Sequence, residues 1–458
     1  RRDFLKVLGV AGAGAAATSC GPPDMGDKLI PYLVPPEDIV PGTNVSYATI
    51  LKEAGGPELL GIHATVRDGR VIKLEGNPRF PNLGRLSALA QSALQDLYDP
   101  DRVPGPRTRD GSGFVETDWD AAIAAAAAAI APGRTVLLTP PQTGSSAEFL
   151  AAWAESVGAD WVAWEPLGFE ALSRAHEIAF GVPGIPLYEI NEADRIVSFG
   201  ADFLGSWVSP VEFGARFLDT RRIESGGQAK FTHVSPRLGL TGLNADEWIA
   251  VRPGSEGAVA LALAGAVLRA TDDPADRRLK DSLAGYTPEA VAGKSGVPAE
   301  KLVRLAEELA AARRPIVLPP DVSGQGAAST DTHLAVALLN YACGAIGATV
   351  KPGEGPVRGH CASAAEMQGL VRRMDSGAID TVIVAGANPV YGLPKAIGFE
   401  AAFRKVSNRV SLSPQIDETA ALCDHLLPSN HELESWGDAE VRPGVWAVAQ
   451  PVMRPVFD

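Results

Sequence analysis

Two groups of polar residues share one spacing and follow two stretches that read as buried strands. Each group holds a serine, a threonine and an aspartate at intervals of six and five residues: Ser235, Thr241 and Asp246 in the first, and Ser413, Thr419 and Asp424 in the second. The α/β folds bind ligands at the carboxyl ends of their parallel strands, where hydroxyl and carboxylate groups can contact the ligand. A serine-proline pair after a strand is also ordinary turn chemistry, but the joint spacing favours an internal duplication.

Cysteine and histidine residues give no clear metal framework. The four cysteines are Cys20, Cys343, Cys361 and Cys423, and none of them forms a CxxC pair, so a zinc or cluster site is not predicted and a disulfide stays open. The adjacent His360 and Cys361, and the pair His425 and His431 beside Glu432 and Glu434, could contact a metal ion. Solvated loop residues are the more common explanation of such isolated groups. No Walker loop, GxSxG elbow or HExxH motif is present.

The elements that must position the two polar groups read as two α/β units. A strand over 196–199 runs into Gly200, Ala201 and Asp202, and a strand over 381–385 runs into Gly386, Ala387 and Asn388. If both units are parallel sheets, four loops should converge on one crevice. These loops are 200–210, 235–243, 386–393 and 413–419.

Several motifs in these units resemble the molybdopterin oxidoreductase superfamily. They are Gly-Ala-Asn-Pro-Val at 386–390, Asp-Glu-Thr-Ala at 417–420, Asp-His-Leu-Leu-Pro at 424–428, Asn-Ala-Asp at 244–246 and Arg-Pro-Gly-Ser-Glu at 252–256. The resemblance runs from about residue 43 to the end. It implies an α/β fold with two pseudo-symmetric Rossmann-like parallel-sheet domains and a small N-terminal β-rich domain. In that family the two domains hold a bis-molybdopterin guanine dinucleotide.

Other motifs resemble the molybdopterin-like half of the iron–sulfur subunit of alternative complex III. That complex is a bacterial quinol-oxidising respiratory assembly. The motifs are Gly-Ala-Asp-Phe-Leu-Gly at 200–205, Ser-Pro-Val-Glu at 209–212 and Leu-Glu-Ser-Trp-Gly-Asp at 433–438. The partners implied by this resemblance are an iron–sulfur domain or subunit, membrane quinol-binding subunits and cytochrome c subunits.

The resemblance also implies a vestigial cofactor cleft. Its residues would be Gly200, Asp202, Ser235, Arg237, Gly386, Asn388, Ser413 and Thr419. Family members carry a four-iron cluster on cysteines of the small domain, but here the run 49–56 has no cysteine and Ser87 stands at the fourth position. The family's metal ligand, often Cys or Ser, corresponds to 165–180, where Ser173 is the one hydroxyl. We expect no catalytic residue, metal ligand or cofactor in this chain.

The loops of the predicted crevice carry mostly apolar side chains. These are Phe203, Leu204, Trp207, Val208, Leu238, Leu240, Val390, Tyr391 and Ile416. A diphosphate normally meets Arg, Lys or a helix N-terminus, and Arg237 is the clearest basic residue there. We therefore expect the cleft to be narrowed by its own side chains. The alternative is that backbone amides alone hold the phosphates.

The N-terminus resembles an export signal. Arg1 and Arg2 begin an Arg-Arg-x-Phe-Leu-Lys motif, and an apolar run over 7–17 follows that is shorter than the about 20 residues of a membrane span. Cys20 follows small residues, as in a lipoprotein signal, although Ala17 replaces the usual Leu; a lipidated and a free Cys20 both stay open. The prediction is export through the twin-arginine pathway to the periplasm, on the outer face of the cytoplasmic membrane. The chain would be anchored there through the complex and, if Cys20 is lipidated, through its lipid.

The predicted organisation has five parts. They are the signal with its lipid-attachment motif (1–20), an extended Pro-rich arm (21–43), a cluster domain without cysteines (44–106), a first α/β domain (107–312) and a second α/β domain (313–458). The chain starts without Met, and we expect it to be part of a longer reading frame.

Composition excludes some classes of function. The 41 basic and 55 acidic residues give a net charge of −14, which argues against nucleic acid as a partner. The leading hypothesis is a non-catalytic scaffold portion of a quinol-oxidising complex that docks an iron–sulfur half. The alternatives are an active molybdenum or tungsten bis-pterin oxidoreductase without the cluster, and a periplasmic nucleotide-binding protein.

Overall fold

The computed structural model describes residue 40 and residues 42–52, 58–222, 228–271, 273–321, 326 and 328–457. The signal residues Arg1, Arg2 and Cys20 and almost all of the predicted arm lie outside the described residues. The strands are β1 (Asn44–Lys52), β2 (Leu59–Arg67), β3 (Arg70–Gly76), β4 (Arg107–Asp110), β5 (Gly113–Glu116), β6 (Thr135–Thr139), β7 (Asp160–Ala163), β8 (Leu187–Tyr188), β9 (Arg195–Ser198), β10 (Lys230–Val234), β11 (Glu247–Ile249), β12 (Pro315–Leu318), β13 (Val350–Lys351), β14 (Thr381–Val384), β15 (Asn408–Ser411), β16 (His425–Leu426), β17 (Gly437–Arg442) and β18 (Val445–Ala449).

The α-helices alternate with these strands. They are α1 (Ala88–Leu97), α2 (Trp119–Ala128), α3 (Gly144–Val157), α4 (Glu170–Phe180), α5 (Pro210–Asp219), α6 (Leu240–Leu243), α7 (Glu256–Arg269), α8 (Arg277–Ser282), α9 (Pro288–Ser295), α10 (Ala299–Ala311), α11 (Ser329–Ala342), α12 (Ala364–Asp375), α13 (Pro389–Gly392) and α14 (Phe399–Phe403). Over the described ranges, none of these helices has the length and apolar character that crossing a bilayer requires.

A small N-terminal domain precedes the two α/β units. Its sheet has the order β1-β2-β3, and both pairs are antiparallel. Asp68 and Gly69 turn the chain between β2 and β3 with φ of 50° and 78°, a left-handed conformation that suits a two-residue hairpin loop. Ser87 accepts a hydrogen bond from the Ala90 N–H and so caps α1. The predicted small β-rich domain is confirmed.

The first α/β unit is built on a four-stranded parallel sheet with the order β11-β10-β9-β12. Side chains alternate between its two faces, because successive residues of a strand point to opposite sides. Ile196, Phe231 and Ile316 face one apolar core, and Val197 and Val317 face the other, where α7, α10 and α11 pack. Burial on both faces explains the apolar composition of these strands.

The second α/β unit has a seven-stranded sheet with the order β5-β4-β16-β15-β14-β6-β7. Strands β16, β15, β14, β6 and β7 are parallel, and β4 and β5 add an antiparallel edge. A ribbon of β17 and β18 follows this sheet in the chain. The predicted α/β class with two parallel sheets is confirmed.

The boundary predicted between residues 312 and 313 does not follow the sheets. Strands β6 and β7, predicted in the first domain, pair within the second sheet, whereas β12, predicted in the second domain, pairs with β9 of the first sheet. The second unit is therefore discontinuous, and the first unit is inserted between β7 and β14. The prediction assigned strands by proximity in the chain, but hydrogen-bonded pairing decides which sheet a strand joins.

The two sheets repeat one arrangement of four strands. The order β11-β10-β9-β12 corresponds to β16-β15-β14-β6, and all of these pairs are parallel. Directly after β9, the Phe199 N–H donates to the Leu318 carbonyl. Directly after β14, the Ala385 N–H donates to the Leu138 carbonyl. The predicted internal duplication is confirmed at the level of backbone pairing.

One buried ion pair joins the small domain to the C-terminal part of the chain. Arg102 lies 2.8 Å from Glu434, with side chains 4% and 0% exposed. Arg102 also donates to the Leu97 carbonyl at 2.7 Å, and Glu434 accepts the N–H groups of His431 and Val456 at 2.8 Å each. Burial alone would raise the pKa of the Glu434 carboxyl, but these hydrogen bonds outweigh it and lower the pKa below its ordinary value.

Two histidines are buried where α4 and α11 pack together. His176 is 2% exposed and lies 5.1 Å from the Phe180 ring, and His333 is 6% exposed. The nitrogens of His333 lie 2.8 Å from the Ser329 carbonyl and 3.2 Å from the Pro320 carbonyl. Burial lowers the pKa of both imidazoles, because the charged form loses hydration.

Arg102→Ala should destabilise the protein by about 3–5 kcal/mol, because it leaves the Glu434 carboxylate buried without its partner. The free energy of unfolding in urea measures this effect. Arg404→Ala is the matched control, since Arg404 pairs with Glu400 at an exposed i,i+4 position and should contribute about 0.5 kcal/mol or less. Equal losses in the two variants would contradict the assigned role of the buried pair.

Acid should destabilise the protein through the buried histidines. Since their folded pKa values lie below the unfolded value of about 6.5, the unfolded chain binds more protons just below that pH. The stability contribution of each neutral ring is complete above about pH 6.5 and declines as the pH falls towards the folded pKa. His176→Leu should reduce the slope of unfolding free energy against pH in this window by at most about 1.4 kcal/mol per pH unit. An unchanged slope in His176→Leu would refute the prediction.

Candidate cofactor cleft

A polar cleft lies at the carboxyl ends of the first sheet. Its volume is about 160 Å³. It is lined by Gly200, Asp202, Ser206, His233, Ser235, Arg237, Gly239, Thr241, Gly242 and Asp321. The structure thus brings together four predicted site residues, Gly200, Asp202, Ser235 and Arg237. Gly200 takes φ of 85° directly after the strand, a conformation that favours glycine.

Hydrogen bonds fix the loops of this cleft. The Thr241 hydroxyl donates to Asp202 Oδ1 at 2.5 Å and accepts the Leu204 N–H at 3.1 Å. The Ser235 hydroxyl accepts the Arg237 N–H at 3.2 Å. Thr241 therefore ties two neighbouring loops together, whereas the Ser235 hydrogen bond lies within one loop. The third, Asp246, lies outside the cleft and accepts the Phe231 N–H at 2.7 Å.

The second unit repeats this network. The Thr419 hydroxyl donates to Asn388 Oδ1 at 2.7 Å and accepts the Val390 N–H at 3.2 Å. Ser413 accepts the Gln415 N–H at 3.3 Å, and Asp424 accepts the Arg409 N–H at 2.9 Å. Asp202 and Asn388 are thus equivalent, as are Arg237 and Gln415. In both units, the threonine of the shared spacing makes the same hydrogen bonds between two loops.

The polar cleft belongs to one unit. All the residues that line it come from the first unit, and the predicted second-unit residues Asn388, Ser413 and Thr419 are not among them. In the second unit the chain from the small domain covers the equivalent loop. The Val103 N–H donates to the Pro414 carbonyl at 2.8 Å, and the Gln415 amide donates to Asp99 at 3.1 Å.

The expectation that apolar side chains line the cleft is wrong for the first unit. Phe203, Trp207 and Val208 are 0%, 0% and 1% exposed and pack in the core beneath the sheet. They point inwards because the Asp202 carbonyl accepts the N–H groups of Gly205, Ser206 and Trp207, which closes a tight turn. Leu238 and Leu240 are exposed near the cleft.

Two cleft residues lie outside the loops that were predicted to converge: His233 and Asp321. The Ser206 hydroxyl donates to Asp321 Oδ2 at 2.6 Å. His233 belongs to β10, and its position near the end of that strand is the sequence signal that could have placed it in the cleft. Asp321 follows β12, which the sequence analysis placed in the other domain, so no signal connected it to this cleft.

The electrostatics of the cleft do not fit two guanine dinucleotides. Burial lowers the pKa of His233 to about 4, so its imidazole is neutral at pH 7. Asp202 and Asp321 contribute carboxylates, whereas Arg237 is the one cationic side chain among the lining residues. Diphosphates are normally bound by cationic groups or helix N-termini, and the cleft is smaller than the 300–1,000 Å³ or so typical of small-molecule pockets.

An ion pair lies at the start of the segment 165–180, which the sequence resemblance predicts to correspond to the family's metal ligand. Glu165 pairs with Arg358, whose guanidinium also donates to the Leu167 carbonyl at 3.1 Å. Burial lowers the pKa of Arg358 to about 10. Ser173, the hydroxyl candidate, accepts the Gly184 N–H at 3.1 Å. The thiol of Cys361 lies near this pair, and burial raises its pKa to about 11.

The other metal candidates have structural partners. His431 caps a short helix by accepting the Leu433 N–H at 3.1 Å, and His425 lies 3.3 Å from the Thr108 hydroxyl. Glu432 accepts the Lys52 N–H at 2.8 Å. Within the ranges that the structure describes, no group of three or more His, Cys, Asp and Glu residues is arranged to hold a metal ion, and Cys343, Cys361 and Cys423 are free thiols.

Comparisons with known proteins agree with this architecture. The menaquinone reductase molybdopterin-binding-like subunit of Nitratidesulfovibrio vulgaris is 29% identical over 486 aligned residues, which cover 100% of this chain and 70% of that protein. The arsenate respiratory reductase molybdopterin-containing subunit ArrA of Shewanella sp. is 30% identical over 44% of this chain and 25% of its own length. Acetylene hydratase from Pelobacter acetylenicus superposes with a TM-score of 0.73 at 15% identity, covering 89% of this chain and 66% of that chain.

A family model described as molybdopterin oxidoreductase matches residues 102–441, which include both sheets and the cleft. The duplicated sheets and their shared hydrogen bonds agree with the pseudo-symmetry that the sequence motifs imply. The chain belongs to the molybdopterin oxidoreductase family.

Proposed function

We propose that this chain is the non-catalytic, molybdopterin-oxidoreductase-like scaffold portion of a membrane-associated quinone-linked respiratory complex. The observation that carries the proposal is the pairing of Glu165 with Arg358 in the segment that corresponds to the family's metal ligand. A carboxylate held by a buried guanidinium is already neutralised and is a poor ligand for a further cation. Ser87 and Ser173 are likewise engaged, as a helix cap and as an acceptor for a backbone N–H.

The scaffold would act by docking partners that carry electrons. The relative from Nitratidesulfovibrio vulgaris is, by its name, a subunit of a menaquinone reductase, and its likeness extends over this whole chain. Our proposal extends this to an iron–sulfur domain or subunit, membrane quinol-binding subunits and cytochrome c subunits, as in alternative complex III. The chain would hold these subunits in register, and quinol oxidation would take place outside it.

The second candidate is an active molybdenum or tungsten bis-pterin oxidoreductase that lacks the N-terminal cluster. The names of relatives such as ArrA, a molybdopterin-containing subunit, favour it. A bound pterin would supply the metal's thiolate ligands and redox chemistry. The carboxylate-lined cleft of the first unit does not fit the diphosphate groups of such a pterin cofactor.

We further propose that the protein is exported by the twin-arginine pathway to the outer face of the cytoplasmic membrane. Arg1 and Arg2 before the apolar run support this, and Cys20 offers a site for lipid attachment. Export in the folded state suits a subunit that assembles with cofactor-bearing partners. All three residues lie outside the described part of the chain.

Elemental analysis tests the scaffold proposal. The complex is purified from its native membranes, and molybdenum, tungsten and iron are measured per chain. We expect molybdenum and tungsten contents well below one atom per chain. The iron content measured with this chain should fall when the partner subunits are removed with high salt. Stoichiometric molybdenum or tungsten would establish the active oxidoreductase instead.

Export is tested with the double variant Arg1→Lys and Arg2→Lys. The paired guanidinium groups are the defining feature of the signal, so the variant should accumulate in the cytoplasm, as measured by fractionation and protease accessibility in spheroplasts. Lys6→Arg, a basic change next to the motif, is the control and should leave export unchanged. Normal export of the double variant would remove the basis for this localisation.

A further inference from the structure

The duplicated fold contains one occupied loop and one open equivalent. In the second unit, Asp99–Val103 lies against the loop after β15. Its two contacts are the Val103 N–H on the Pro414 carbonyl at 2.8 Å and the Gln415 amide on Asp99 Oδ2 at 3.1 Å. The segment is held in place from behind, because Arg102 pairs with Glu434 in the interior. The second unit thus shows what this loop can bind: an acidic side chain together with a backbone N–H four residues further on.

The equivalent loop of the first unit carries the same two groups, and no segment among the described residues hydrogen-bonds to them. Pro236 corresponds to Pro414 and Arg237 to Gln415, because Ser235 and Ser413 accept the equivalent N–H groups at 3.2 and 3.3 Å. Within the described ranges, the Arg237 guanidinium makes no hydrogen bond or ion pair, and the Pro236 carbonyl accepts no hydrogen bond. Arg237 is exposed and lies at the cleft of about 160 Å³.

We infer that the cleft of the first unit is a docking site for an acidic peptide segment of a partner subunit. The segment would place an Asp or Glu on Arg237 and donate a backbone N–H to the Pro236 carbonyl, as Asp99–Val103 does in the other half. Arg237 is the first-unit equivalent of Gln415, and it can make a stronger contact with a carboxylate. The reason is that a charge-assisted pair is roughly twice as strong as a neutral hydrogen bond. The inference rests on the proposed scaffold function, which supplies the partner.

The rest of the cleft suits a peptide better than a nucleotide. Its inner wall carries the carboxylates of Asp202 and Asp321, which repel phosphate groups and can accept N–H donors. Leu238, Leu240 and Leu243 are 41%, 57% and 68% exposed along the same loop and offer apolar contact to a segment that leaves the cleft. Surrounding contacts that exclude water from a central contact are a common arrangement at protein–protein interfaces. The carboxylate on the segment would therefore lie at the rim, on Arg237.

The test uses the whole complex purified from native membranes. A photo-crosslinking p-benzoylphenylalanine is placed at Leu240, and the adduct is mapped by mass spectrometry. We expect one main adduct, on a peptide of another subunit of the complex that contains Asp or Glu. Arg237→Glu should reduce adduct yield about tenfold or more through charge repulsion, whereas Arg237→Gln should reduce it less than Arg237→Glu does, because Gln415 makes the same contact with an uncharged amide in the second unit. Arg79→Glu, at an exposed arginine of the small domain, should have no effect.

The outcomes separate this inference from the proposed function. If the wild-type chain copurifies with its partner subunits but Leu240 gives no adduct, or an adduct within this chain or with a second copy of it, the docking site is wrong and the scaffold role stands. If GDP at millimolar concentration abolishes the adduct, the cleft binds nucleotide and the inference is also wrong. If the wild-type chain purifies without partner subunits, the scaffold role itself fails. Equal yields from Arg237→Glu and Arg237→Gln would show that the guanidinium is not the contact.

Discussion

The structure depends on a charge pair that is removed from water. Arg102 and Glu434 are almost fully buried, and each also makes hydrogen bonds to the backbone around it. Such a pair is a poor source of net stability compared with apolar packing, but breaking it is costly, so it specifies one arrangement of the groups that meet there. Three parts of the chain meet at this point: the end of α1, the short helix before β17, and the residues near the C-terminus. The position of Asp99–Val103 against the second unit follows from it.

Much of the fold could be predicted because it rests on local patterns. Apolar strands buried on both faces, Gly at the strand ends and the Asp68-Gly69 turn are all visible in the sequence. The repeat was found because the same Ser, Thr and Asp spacing makes the same loop contacts in both units. The division of the chain between the sheets could not be predicted. Whether β6 pairs with β14 or with β9 depends on long-range backbone hydrogen bonds, and both choices satisfy the same local pattern.

The candidate site was predicted in part, for a related reason. The equivalence of Gly200, Asp202 and Ser235 with Gly386, Asn388 and Ser413 indicated which residues meet at each strand edge. The direction of the intervening apolar side chains was misjudged, because a tight turn on the Asp202 carbonyl sends Phe203 and Trp207 into the core. His233 and Asp321 complete the cleft from strand ends whose neighbours were not known. The duplication has therefore kept its backbone contacts while the side chains of its two halves have diverged in charge.

The insertion of one unit within the other has a consequence for how the chain acquires its structure. Thr135 of β6 pairs with Thr381 of β14, so the central contact of the larger sheet closes a loop of more than two hundred residues. During synthesis, β6 and β7 emerge long before their partners and must wait with one hydrogen-bonding edge open, while the inserted unit can complete its own sheet from a continuous stretch. Contacts of such high sequence separation slow folding and leave strand edges available for wrong pairing. Because the chain is synthesised from its N-terminus, the inserted unit can fold early. The surrounding unit folds late, because its sheet is complete only after β14, β15 and β16 have been synthesised.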